Sequence, residues 1–175
     1  MTDRRERFDV GDRPRLEVSN TTGQIAVVAG DPGIIDVSIE GSGDKYTVEH
    51  YGSTVVIRPE GGFLKRIFSA DIVVRVPAGT DVEAKNASGD VSIDVDAGEL
   101  EAATASGDIR VRAVAGTARL KVASGDISLD HVAGSLDVIS ASGDVRVATV
   151  DGDVAIKSAS GDATVSSAGG NVSLS

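Results

Sequence analysis

From residue 89 onward, apolar and polar positions alternate along the chain, and a glycine interrupts them at every ninth residue. The second and fourth residues after glycine form apolar pairs such as Val91/Ile93, Ile109/Val111, Leu136/Val138, Val145/Val147 and Val154/Ile156. Between or beside them lie polar residues such as Arg110, Ser128, Asp137 and Arg146. Period-two alternation closed by glycine predicts a short strand with one buried face. Each nine-residue unit is thus one strand and one tight turn.

The glycines fall into two interleaved series. Ser-Gly-Asp recurs at 88–90, 106–108, 124–126, 142–144 and 160–162, and Gly98, Gly116, Gly134, Gly152 and Gly170 lie midway. Two units therefore make an 18-residue repeat, which predicts an all-β parallel β-solenoid (β-helix or β-roll). Its two sheets should face each other at ~10 Å, with successive coils ~4.8 Å apart. Parallel crossovers favour a right-handed coil. A three-sided helix of hexapeptides also uses this period. Stepping by six from Val91 gives Ala97, Ala103, Ile109, Ala115 and then Lys121, which would bury a lysine. Two-sided coils avoid that, with Ala87, Ala105, Ala123, Ala141 and Ala159 at corners of a narrow core. Outward positions then stack into charge ladders, Asp94/Arg112/Asp130 and Glu101/Arg119/Asp137, whose alternating sign favours this register.

Before residue 78 the apolar pairs continue less evenly, at Leu16/Val18, Ile25/Val27, Ile35/Val37, Tyr46/Val48, Val55/Ile57 and Ile72/Val74. The expected organisation is a single domain over 1–175, with irregular N-terminal coils at 1–77 and regular repeats at 78–175.

Twenty-one glycines against four prolines point to turns that need positive φ. The net charge is −10, and residues 78–175 hold 7 Lys and Arg against 15 Asp and Glu. Such a surface repels phosphates, so nucleic acid is not an expected partner. Without cysteine there are neither disulfides nor thiolate metal sites. The opening residues, MTDRRER, lack an apolar run and no stretch approaches a transmembrane segment, which predicts a soluble, cytoplasmic chain.

The Ala-Ser-Gly-Asp-Val/Ile units, the Pro77–Val82 entry (PAGTDV), Phe8-Asp-Val and Leu16-Glu-Val-Ser-Asn together resemble a bacterial β-strand-repeat family named as putative adhesins, a domain of unknown function. The resemblance implies a β-solenoid without catalytic residues, linked to the cell envelope. Bactofilins, cytoskeletal solenoids that polymerise end to end, are a more distant architectural likeness.

Three features are candidate sites. The ladder Asp90, Asp108, Asp126, Asp144 and Asp162 sets carboxylates ~4.8 Å apart, a spacing that could collect Ca²⁺. Calcium β-rolls, however, use longer glycine loops that add carbonyl ligands. Ser and Asp oxygens accepting backbone N–H groups is the expected role, with no metal or cofactor. The segment Phe63, Leu64, Lys65, Arg66, Ile67 and Phe68 could dock a partner or a membrane, or shield the core. Val172 and Leu174, on the last strand, are a self-association candidate. His50 and His131 are isolated, and no nucleophile elbow or phosphate loop occurs. The expected function is a non-catalytic scaffold or binding module with a protein or envelope partner. The alternative is a scaffold that assembles as a homo-oligomer through its solenoid ends.

Overall fold

The computed structural model describes residues 2–61 and 69–175, so the Phe63–Phe68 segment lies outside the described residues. The N-terminal strands are β1 (Arg4–Asp9), β2 (Arg15–Thr22), β3 (Ile25–Ala29), β4 (Ile34–Gly41), β5 (Tyr46–Tyr51), β6 (Thr54–Pro59) and β7 (Ala70–Val76). The repeats supply β8 (Asp81–Ser88), β9 (Val91–Ala97), β10 (Leu100–Ser106), β11 (Ile109–Val114), β12 (Ala118–Ser124) and β13 (Ile127–Val132). They continue with β14 (Leu136–Ser142), β15 (Val145–Val150), β16 (Val154–Ser158), β17 (Ala163–Ala168) and β18 (Val172–Leu174).

Among the described residues these strands form two nine-stranded sheets. The first runs β1-β4-β7-β3-β9-β11-β13-β15-β17, and the second β18-β16-β14-β12-β10-β8-β2-β6-β5. From β8 onward, consecutive strands alternate between the sheets. Each pairs in parallel with the strand one repeat later: Ile109 lies beside Ile127, Val145 beside Ala163 and Leu100 beside Ala118. Inward columns are aliphatic and almost fully buried, as in Ile25, Val91, Ile109, Ile127 and Val145 on one side and Val18, Ala84, Leu120 and Val138 on the other. Burying such a Val, Leu or Ile side chain contributes about 1.5–3 kcal/mol, the main source of cohesion between repeats.

The expectation of parallel coils over 1–77 is corrected. β1 and β5 are antiparallel to β4 and β6, and β4 is antiparallel to β7. The repeats also do not stack in chain order here. β2 and β3 lie between β6/β7 on one side and β8/β9 on the other. The chain starts at the edge strand β1, enters the stack with β2 and β3, runs back out through β4–β7 to build that end, and returns past β2 and β3 into the repeats. Both sheets are thus mixed and open. The physical gain lies at that end, where antiparallel partners cover β6 and β7 and fully bury Ile35, Ile39 and Tyr46.

The two glycine series serve different needs. Gly89, Gly107, Gly125, Gly143 and Gly161 have φ between +112° and +138°. A Cβ on Gly125 would also stand 2.1 Å from the carbonyl oxygen of Gly107 in the preceding repeat. The midway series has no positive φ, so the expectation is corrected for it. There glycine answers to close stacking alone: a Cβ on Gly134 would lie 2.4 Å from the Gly116 oxygen. Ala105, Ala123, Ala141 and Ala159 do not fill the core either. They continue the alternation of their strands and are exposed.

Candidate functional site

The aspartate ladder runs along the edge formed by the Ser-Gly-Asp turns. Each carboxylate accepts the backbone N–H of the next aspartate up the stack. Oδ1 of Asp90, Asp108, Asp126 and Asp144 lies 2.9, 2.9, 2.8 and 3.1 Å from the nitrogens of Asp108, Asp126, Asp144 and Asp162. The opposite edge repeats the device, with Asp81 holding the Glu99 N–H, Glu99 that of Thr117 and Asp153 that of Asn171. Like charges one strand spacing apart repel by about 0.9 kcal/mol in water. A hydrogen bond to a charged group contributes about 1.5–3 kcal/mol, which outweighs that repulsion. Among the described residues, no group of three or more His, Cys, Asp or Glu side chains is placed to hold a metal ion.

His131 Nε2 faces Asp151 Oδ2 at 3.2 Å on the surface, and His50 packs against Phe8 with ring centroids 5.0 Å apart and the rings tilted by 46°. Val172 and Leu174 lie on the edge strand of the second sheet and are 48% and 51% exposed. No described helix is long and apolar enough to cross a membrane.

The outer faces of the two sheets differ in how their cations are held. On the first sheet, Arg110 and Arg146 occupy alternate repeats, each beside an aspartate of the ladder: Arg110–Asp108 at 3.6 Å and Arg146–Asp144 at 3.1 Å. On the second sheet, one outward column reads Lys85, Ala103, Lys121, Ile139, Lys157 across β8, β10, β12, β14 and β16. Lys85 is bound to Glu83 at 2.8 Å, and Glu83 also receives Arg15 at 3.1 Å. The Lys85 hydrogen bond, with the charges of Lys85 and Arg15, holds the Glu83 carboxyl below the usual carboxylate range, and Glu83 raises Lys85 in turn. Lys121 and Lys157 make no ion pair among the described residues. Alternate placement separates the lysines by two strand spacings, ~9.6 Å, close to the screening length of physiological salt.

Beside this column run Ala105, Ala123, Ala141 and Ala159, whose short side chains leave a trough of about 760 Å³ along the stacking direction. Its floor is methyl groups and Ile139, which is 44% exposed. Beneath it, on the inward face of the same strands, Asn86 and Ser140 are each only 3% exposed, and Asn86 Oδ1 and Ser140 Oγ have no partner among the described residues. The same polar column begins at Asn20, whose Nδ2 donates to the Ala70 carbonyl at 2.8 Å and whose Oδ1 accepts from the Tyr46 hydroxyl. Sequence reasoning passed over this trough. The signal was available, because alternation from Leu120 and Val122 puts Lys121 and Ala123 on one outward face, and lysine recurs at twice the repeat period.

No curated protein matches the chain. Among solved structures, it is similar to a putative cell adhesion protein from Clostridium sporogenes ATCC 15579, at 12% identity and a TM-score of 0.52 over 99% of this chain and 100% of that one. It is also similar to a putative adhesin from Bacteroides fragilis NCTC 9343, at 16% identity and a TM-score of 0.44 over 99% and 96%. Residues 15–175 match the family described as Toastrack DUF4097, and with nearly all its length matched the chain belongs to that family.

Proposed function

We propose that the protein is a single-domain β-solenoid of 18-residue coils that works by binding rather than by catalysis. Its binding face is the trough on the outside of the second sheet, and its partner is an elongated component of the bacterial envelope. The observation that carries this reading is the pairing of an apolar floor with Lys121 and Lys157, two cations without acidic partners among the described residues, on a chain of net charge −10. The aspartates that recur in every turn accept backbone N–H groups, a structural task that supports a non-catalytic reading. The adhesin descriptions of the similar structures support the envelope link.

Co-sedimentation with bacterial envelope fragments tests it. The wild type should pellet with the fragments, and a Lys121→Glu/Lys157→Glu variant of equal melting temperature should stay in solution. Equal pelleting of both would place binding elsewhere. A second reading, self-assembly through the edges of β17 and β18, is favoured by the half-exposed Val172 and Leu174. Light scattering across a wide concentration range tests it, since growth in particle mass that Leu174→Lys abolishes would make assembly the primary role.

A further inference from the structure

We infer that the trough takes an extended polypeptide in the polyproline II conformation, with an acidic residue at every third position. This rests on reading the trough as the binding face. The argument is one of pitch. Lys121 and Lys157 present cations two strand spacings apart, ~9.6 Å, and Lys85, held by Glu83, continues the same spacing. A polyproline II chain has three residues per turn and rises ~3.1 Å per residue, so one side chain per turn returns to the same face every ~9.3 Å. From Lys85 to Lys157 the mismatch accumulates to only about 0.6 Å, within the reach of a flexible lysine stem. The other regular conformations fit worse. An α-helix returns every 5.4 Å, and its second turn overshoots at about 10.8 Å. A β-strand presents one face every ~6.8 Å.

The floor selects the same ligand. The methyls of Ala105, Ala123 and Ala141 and the side chain of Ile139 offer contact but almost no hydrogen bonding. An acidic polysaccharide would press its hydroxyls against them unsatisfied, which is unfavourable. A proline-rich chain instead brings an apolar face to the floor and keeps its backbone solvated.

The test is a two-dimensional NMR titration of the full chain at low salt with (Glu-Pro-Pro)5. The same composition with its glutamates clustered at one end serves as control, and a uronic acid oligosaccharide as the competing ligand class. Saturable shifts at the amides of Ala105, Ala123, Ile139 and Ala141 are expected, with the periodic peptide binding several-fold tighter than the clustered one. Lys121→Gln/Lys157→Gln should weaken binding by about tenfold, since each exposed pair is worth up to about a factor of five. Equal response to both peptides would overturn the pitch match. Shifts at these amides with the oligosaccharide alone would overturn the peptide and leave the trough as a binding face. Silence with every ligand would overturn both.

Discussion

The N-terminal region, residues 1–77, and the repeats solve the same packing problem with different means. In the repeats, identical aliphatic columns and stacked turns hold each unit against the next, and no large ring is buried. The N-terminal region ends the stack instead. It turns strands antiparallel, buries Tyr46 and five isoleucines at no measurable exposure (Ile25, Ile35, Ile39, Ile57 and Ile72), and anchors the Tyr46 hydroxyl on Asn20. At the far edge, β17 and β18 carry part-exposed side chains, and no described strand lies beyond them. The contrast teaches that repetition supplies cohesion along the stack, while termination needs sequence that departs from the repeat.

The sharpest way to break the comparison is inside the repeats. Val147→Asp puts an unpaired charge at a position 2% exposed and should destabilise by about 3–5 kcal/mol in urea unfolding. Gly125→Ala should follow at about 2–3 kcal/mol, because its φ is +138° and the new methyl meets the Gly107 carbonyl. Gly52→Ala separates those two causes. Its φ is +59° but nothing lies within 4 Å of the new Cβ, so only the backbone strain, about 1 kcal/mol, should appear. In the N-terminal region, Tyr46→Phe removes the buried hydrogen bond to Asn20, and thermal melting should show a loss of about 1 kcal/mol or more. Leu174→Ser, at the open edge, should change stability by less than about 0.5 kcal/mol. A loss as large as that of a core position would mean the edge is covered in solution.

The smallest effect is one of pH, at the junction of the two regions. Glu83 joins Arg15 of β2 to Lys85 of β8, and its folded pKa lies below the ordinary value. Its contribution is therefore present above the ordinary glutamate pKa of ~4.3 and is lost as pH falls through the lowered folded value. Glu83→Gln should flatten the acid limb of the stability profile below about pH 5.

Much of the repeat architecture was legible because the same residues recur in register: Ile109, Ile127 and Val145 announce their pairing by their spacing. The order of stacking in the N-terminal region was not. Leu16 and Val18 suit Val55 and Ile57 as well as Val82 and Ala84, so an apolar pattern cannot say that β2 lies between both. Strand direction is equally silent, since alternation reads the same both ways along Ile35, Val37 and Ile39. The trough was missed for another reason. Size alone suits the exposed alanines to corners of the core, whereas the parity of alternation from Val122 puts Ala123 outside. Lys121 by itself excludes only a three-sided helix, and its recurrence at Lys85 and Lys157 emerges only when the period is doubled.

The placement of β2 and β3 also bears on how the chain reaches its fold. Leu16 meets Val82, so the seat on which the repeats stack is complete only after a loop of more than sixty residues has closed. Every later unit adds beside its predecessor. Folding should thus begin with a slow, non-local search and then run forward as a zipper. The rate-limiting contacts lie in the least repetitive sequence, and each added repeat lengthens the protein while leaving that first barrier unchanged.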